Sequence, residues 1–234
     1  MVNMKSSQNL VPILQKSEFD DVATKFLEQY FPQALEEPMP VPIEEIATTS
    51  MKLNIARECL SDDLSILGQI FFSHGSAVVY LKDSDECVYR EVDAGTMIID
   101  PSVANERNIG CERNTIAHEC VHWYIHKNYH KIQLLAGKEN ASACRCPVKQ
   151  KSDHVTVQWS DEDWMEWQAH GIAPRILMPK QTFIKYVTTN LHYKNISSQK
   201  HNKSSLDLLV DDLSAFFQVS KQSASIRLKE LDLI

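Results

Sequence analysis

The sequence predicts an α+β fold: a small antiparallel twisted sheet packed with a histidine-bearing helix and a second, acid-bearing helix, plus a helical C-terminal extension. Three observations predict it. Short β-branched and aromatic runs lie between Leu53 and Asp100, broken by turn residues; two segments after Pro101 carry helical periodicity; and an apolar stripe at helical spacing closes the chain. At 234 residues, 43% hydrophobic and 24% charged, the chain can bury a core without disulfides, and general disorder is excluded. No apolar run approaches the roughly 18 residues of a membrane span.

Taken in order, the first element is a helix with Ser17 as its expected cap and Phe19, Val22, Phe26, Leu27 and Tyr30 on one face, stopped by Pro32. A proline-rich stretch, Pro38 to Pro42, then leads into the sheet region. Ile66–Phe72, Ala77–Leu81 and Thr96–Ile99 read as strands, separated by turn or bulge signals that include Gly68, Gly75 and Gly95. Asn105–Cys111 reads as a connection, and Asn114 to about Lys127 as a helix facing a core with Ile116, Ala117, Cys120, Val121 and Tyr124. Residues 128–160 read as a long polar loop with short strands. Ser160 caps a helix opened by Asp161, Glu162 and Asp163 and running to about Met178, with Gly171 and Pro174 implying a kink or break. Leu206, Leu209, Val210, Leu213, Phe216 and Phe217 define a later helix, and Lys221–Leu231 a last one. The expected organisation is an N-terminal helical segment over 1–40, a central domain over 41–180 and a helix-turn-helix-like extension over 181–234.

Six cysteines scattered through the chain make no disulfide framework, and Met1–Lys16 lacks the layout of a secretory signal, so reduced thiols in a cytoplasm are expected. The net charge of −7 argues against a global grip on nucleic acid. In the tail, Lys221, Arg227 and Lys229 are outnumbered by Asp207, Asp211, Asp212, Glu230 and Asp232, which favours packing or protein contact over DNA reading.

Six of the nine histidines, from His118 to His170, fall in one short stretch. His118-Glu119-Cys120-Val121-His122 is an HExxH motif, expected by chance only about 0.02 times in this composition. Residues i and i+4 share a helix face, so both imidazoles can reach one metal ion. Glu119, at the rim of that face, can take a proton from an attacking water without ligating. The alternative, two surface histidines on an amphipathic helix, fits poorly with a motif inside apolar periodicity. A third ligand is required, and Glu166 on the acid-rich helix is the strongest candidate, giving a donor set that suits Zn²⁺, although ligand type fixes metal identity only loosely. His170, one turn beyond, is either a partner that orients a ligand or touches substrate, or a capping or core histidine. Cys144-Arg145-Cys146, with His154 or Cys111, is either a weak second zinc signal or a pair of loop cysteines. Tyr124, Tyr129, His130, His154 and His170 are all open as oxyanion stabilisers, and Trp123, Trp159, Trp164 and Trp167 as core or cleft lining.

The segment Arg113-Asn114-Thr115-Ile116-Ala117-His118-Glu119-Cys120-Val121-His122-Trp123-Tyr124-Ile125-His126 resembles the ImmA/IrrE family of metallopeptidases, gluzincin-like enzymes of mobile elements and stress responses. A second block, Glu166-Trp167-Gln168-Ala169-His170 through Leu177-Met178-Pro179, resembles that family's second signature, with His170 in place of its usual asparagine. The resemblance implies that His118, His122 and Glu166 bind one zinc ion and that Glu119 is the general base. It implies a metallo-endopeptidase whose partner is a protein substrate, such as a helix-turn-helix repressor. His126 matches a family position, read as a buried histidine behind the metal. The gap from His122 to Glu166 implies an inserted segment. The competing function is a non-catalytic metal-containing regulator that acts by protein or DNA binding.

Overall fold

The computed structural model describes residues 11–137, 143–147, 159–190 and 203–234. Its sheet strands are β1 Asn54–Arg57, β2 Ile66–Phe71, β3 Gly75–Leu81, β4 Glu86–Val92, β5 Thr96–Ile99 and β6 Ala143–Pro147. Its longer helices are α1 Phe19–Tyr30, α2 Ile109–Val121, α3 Lys127–Leu135, α4 Asp161–Leu177, α5 Lys180–Thr189, α6 Lys203–Phe217 and α7 Lys221–Glu230.

The main sheet has the order β1-β5-β2-β6, and β3 and β4 form a separate antiparallel hairpin. The sheet is mixed where the sequence predicts an antiparallel one, because β1 runs parallel to β5, pairing Asn54 with Thr96 through Arg57 with Ile99. Residues 58–95 lie between them, long enough for the crossover that parallel neighbours need. β5 is buried along its whole length, as its place between two strands requires. Its alternation divides the core: Met97 and Ile99 join the large cluster with the helices, whereas Ile98 joins Leu60, Phe71, Ala77, Val79 and Val92 under the hairpin.

Several boundaries move for physical reasons. Ser17 lies inside a 3₁₀ turn, Lys16–Glu18, that precedes α1, so Gln15 stands at the start of that turn and Glu18 at the N-cap of α1. α2 starts five residues earlier than its periodicity suggests, because Asn108 Oδ1 accepts from the Cys111 N–H at 2.8 Å. Residues 128–160 contain α3 and β6; α3 follows α2 through a π-helical turn, His122–His126. β6 adds to the β2 edge and leaves Cys144 and Cys146 buried. α4 is capped by Ser160 as expected and continues through Gly171 and Pro174 as one helix.

The large cluster draws Phe19, Phe26, Ile43, Ile116, Val121, Ile172, Phe183, Leu209, Leu213, Phe217 and Leu228 into contact. The final helices therefore bury their apolar stripe in the same core as the histidine-bearing helix. Arg227, 1% exposed, fixes α7 in place: its guanidinium donates to both oxygens of Asp20 and to the Met178 carbonyl. No described helix is long and apolar enough to cross a membrane.

The turn between α6 and α7 presses on the first turn of α2. A Cβ on Gly110 would fall inside the Val219 and Ser220 backbone, which has no flexible end to move aside. Gly110→Ala is expected to destabilise the protein by about 1–3 kcal/mol in denaturant melts, as overpacking does. Gly75→Ala, where nothing lies within 4 Å of the added methyl, serves as the neutral comparison.

Candidate metal centre

Burial of α2 is nearly complete from Thr115 to Val121, so its polar side chains can find partners only on neighbouring helices. His118 and His122, one turn apart, bring their Nε2 atoms to 2.9 Å of each other. Glu166 reaches them from α4, whose start is fixed by a capping box between Ser160 and Asp163. Its Oε1 lies 3.1 Å from His122 Nε2 and its Oε2 3.2 Å from His118 Nε2. The three donor atoms lie within 4.8 Å of one another. Both imidazoles are completely buried, and the Glu166 side chain keeps 21% exposure.

Glu119 is also completely buried, and neither carboxylate oxygen has a hydrogen-bond partner among the described residues. Room for that carboxylate comes from Gly68 in β2, where a Cβ would stand 2.7 Å from Thr115 Cγ2 and 3.1 Å from Glu119 Oε1. Burial, reinforced by the neighbouring Glu166 charge, pushes the Glu119 carboxyl well above the usual range. Burial acts to raise Glu166 as well, but the His122 and His118 imidazoles outweigh it and hold it below the usual range. Burial lowers His118, leaving a neutral imidazole of the kind a metal binds. Two sequestered carboxyl groups, one of them without a hydrogen-bond partner among the described residues, beside two imidazoles make a site short of positive charge. A divalent cation of zinc type fits that deficit and that donor set.

A sequence model of the Peptidase_M78 family, described as the IrrE N-terminal-like domain, matches residues 74–229. The chain belongs to this family. No curated protein matches the chain. The matched region of this Peptidase_M78 chain contains α2, α4 and the whole donor set.

The remaining expected residues divide around this Peptidase_M78 centre. His170 packs its ring edge-on to His118, with centroids 4.5 Å apart. It also forms, with His118 and Cys146, a second group of donor atoms within 4.8 Å of one another. The two groups share His118, so they are competing placements for an ion. His126 sits behind His122, Nδ1 to Nδ1 at 3.0 Å. Cys144 meets His130 Nε2 at 3.1 Å, and His130 stacks on Phe72, so this cysteine lies apart from Cys146 in its contacts. Tyr124 packs against Phe26 and Tyr30 of α1. Tyr129 packs edge-on to His130. His154 lies outside the described residues. Trp159, Trp164 and Trp167 form one aromatic cluster, whereas Trp123 stacks on Phe72. Two further residues adjoin the centre without a sequence signal for it: Gln168, whose Oε1 lies 2.9 Å from His126 Nε2, and Gly68, which lies against Glu119.

Variants separate the two groups. Removing a donor outright exceeds the roughly 10–100-fold loss typical of an outer-shell partner. Glu166→Ala is therefore expected to weaken Zn²⁺ binding by more than about 100-fold in chelator competition. Cys146→Ser is expected to leave it within a few-fold of wild type.

Proposed function

We propose that this Peptidase_M78 chain is a zinc-dependent metallo-endopeptidase, with His118, His122 and Glu166 as the ligands and Glu119 as the general base. The observation that carries the reading is the buried Glu119 carboxylate, without a hydrogen-bond partner among the described residues, beside three converging donor atoms. A protein that only binds has no use for an acid kept there at the cost of its hydration.

Bound by those three residues, zinc would polarise the scissile carbonyl and bring the pKa of water toward about 7. The protein's own part is proton handling and water exclusion. Glu119, raised by burial, takes a proton from the attacking water as its oxygen adds to the carbonyl carbon. It then delivers that proton to the amide nitrogen as the C–N bond breaks, leaving a carboxylate and an amine. Burial of both imidazoles keeps bulk water from competing for the proton.

The substrate class we propose is a regulatory protein cleaved at one or a few sites, such as a helix-turn-helix repressor of a mobile element or stress response. The six free thiols suit work in the cytoplasm.

The test is cleavage of a repressor encoded next to this chain's reading frame, together with labelling of new N-termini in host lysate, with and without chelator. Wild type is expected to produce chelator-sensitive cuts. Glu119→Gln is expected to retain Zn²⁺ while losing about 10²–10⁴-fold in rate, the usual contribution of a general base. Equal cleavage by Glu119→Gln, or no chelator-sensitive cut by wild type, overturns the assignment.

A further inference from the structure

The catalytic ion proposed above makes no use of Cys146, although this thiol stands beside the same machinery. β6 pairs Cys146 with Gly68 of β2, and directly opposed residues of a ladder point their side chains to one face of the sheet. That face is turned to α2, where a Cβ on Gly68 would meet Thr115 and Glu119. Cys146, 2% exposed, is thus directed at α2 from the strand side. His170 comes from the helix side: on α4, one turn beyond Glu166, its ring packs edge-on to His118. One donor atom from each of His118, Cys146 and His170 lies within 4.8 Å of the other two. A cleft of about 430 Å³ between α2, α4 and α7 is lined by Cys146 and His170, together with Thr115 and Trp167. It gives these donors the entry path that a cation site needs.

We propose that His118, Cys146 and His170 form a second cation position, selective for thiophilic ions, that competes with the catalytic position for His118. Two imidazoles and a thiolate are a softer donor set than two imidazoles and a carboxylate, so an ion such as Cd²⁺ prefers the sulfur-bearing position. Binding replaces the Cys146 S–H bond by a metal–sulfur bond and releases the proton to solvent. A neutral imidazole has one lone pair, so His118 serves one ion at a time. Its Nδ1 is buried without a hydrogen-bond partner among the described residues, so no hydrogen bond there ties the ring to the first position. An ion that settles between Cys146 and His170 therefore takes a ligand away from the His122 and Glu166 side. The second position stands on its own three donors. That its occupation silences the enzyme rests on the reading of His118 as a ligand of the catalytic ion.

Cd²⁺ is the probe, because a cadmium–thiolate bond gives an ultraviolet charge-transfer band that nitrogen and oxygen ligands do not. Cd²⁺ titrated into the metal-stripped full chain is expected to produce this band. Cys146→Ser is expected to weaken the binding read from it by more than about 100-fold, and His170→Ala by more than about 10-fold. Cys111→Ser, Cys144→Ser and Glu166→Ala are expected to leave it within a few-fold. In the Zn²⁺-loaded chain, Cd²⁺ is expected to release Zn²⁺ to a chromogenic chelator, and Cys146→Ser to raise the Cd²⁺ required at least about 10-fold. A Cys146→Ser protein that melts like wild type and keeps the band at full affinity overturns the position. So does loss of the band in Glu166→Ala, which would make Cys146 a further ligand of the first ion. Cd²⁺ bound with all Zn²⁺ retained overturns the competition. The parent reading fails separately, by Zn²⁺ affinity that neither His122→Ala nor Glu166→Ala lowers.

Discussion

Glu166 closes a triangle with His118 and His122, at 3.2 and 3.1 Å, in which both imidazoles are fully buried and the Glu166 side chain keeps some exposure. Taking a carboxylate out of water costs several kcal/mol unless charge or hydrogen bonds replace its hydration. The two imidazoles replace that hydration for Glu166; nothing among the described residues replaces it for Glu119. This imbalance organises the molecule. It requires α2 and α4 to lie side by side, requires β2 to carry glycine where it crosses Glu119, and leaves a donor set that a cation would suit.

The surroundings hold that arrangement still. α4 meets α1 so closely that a methyl on Gly171 would overlap the Phe19 ring, and Phe19 in turn packs edge-on against Trp167. On the other side, β5 and β2 supply a rigid floor, with Ile70, Met97 and Ile99 turned toward the helices. Placing a reactive constellation on helices and strands instead of loops limits how far its side chains can wander. The π-helical turn at His122–His126 sits where the chain leaves α2, and it is this turn that carries both members of the inner histidine pair.

What could be read in the sequence was local. The paired histidines followed from one helical turn of spacing, and Glu166 from the acid-rich start of the Ser160-capped helix, with His170 one turn further on. What could not be read depends on partners distant along the chain. Gln168 is an ordinary amide until Pro12, 156 residues away, takes its NH₂. Cys144-Arg145-Cys146 reads as polar loop because its strand character is conferred by the open edge of β2. β1 is four residues, exposed at both ends and half-covered between, whose parallel pairing has no signature of its own. Gly68 looks like punctuation, whereas its use is to let a strand lie against a carboxylate.

Arg113, one turn before the motif, grips both flanks of the protein: its Nη2 donates to the Val41 carbonyl at 2.6 Å and its Nε to the Gln218 carbonyl at 2.9 Å. With Gly110 seated against Val219 and Ser220, the front of α2 is a shared abutment for the early connection and the final turn. Force applied to the last two helices, by a fused tag, a crosslink or a gripping partner, accordingly has a short load path into the helix bearing His118 and His122. The terminus is mechanically continuous with the chemistry.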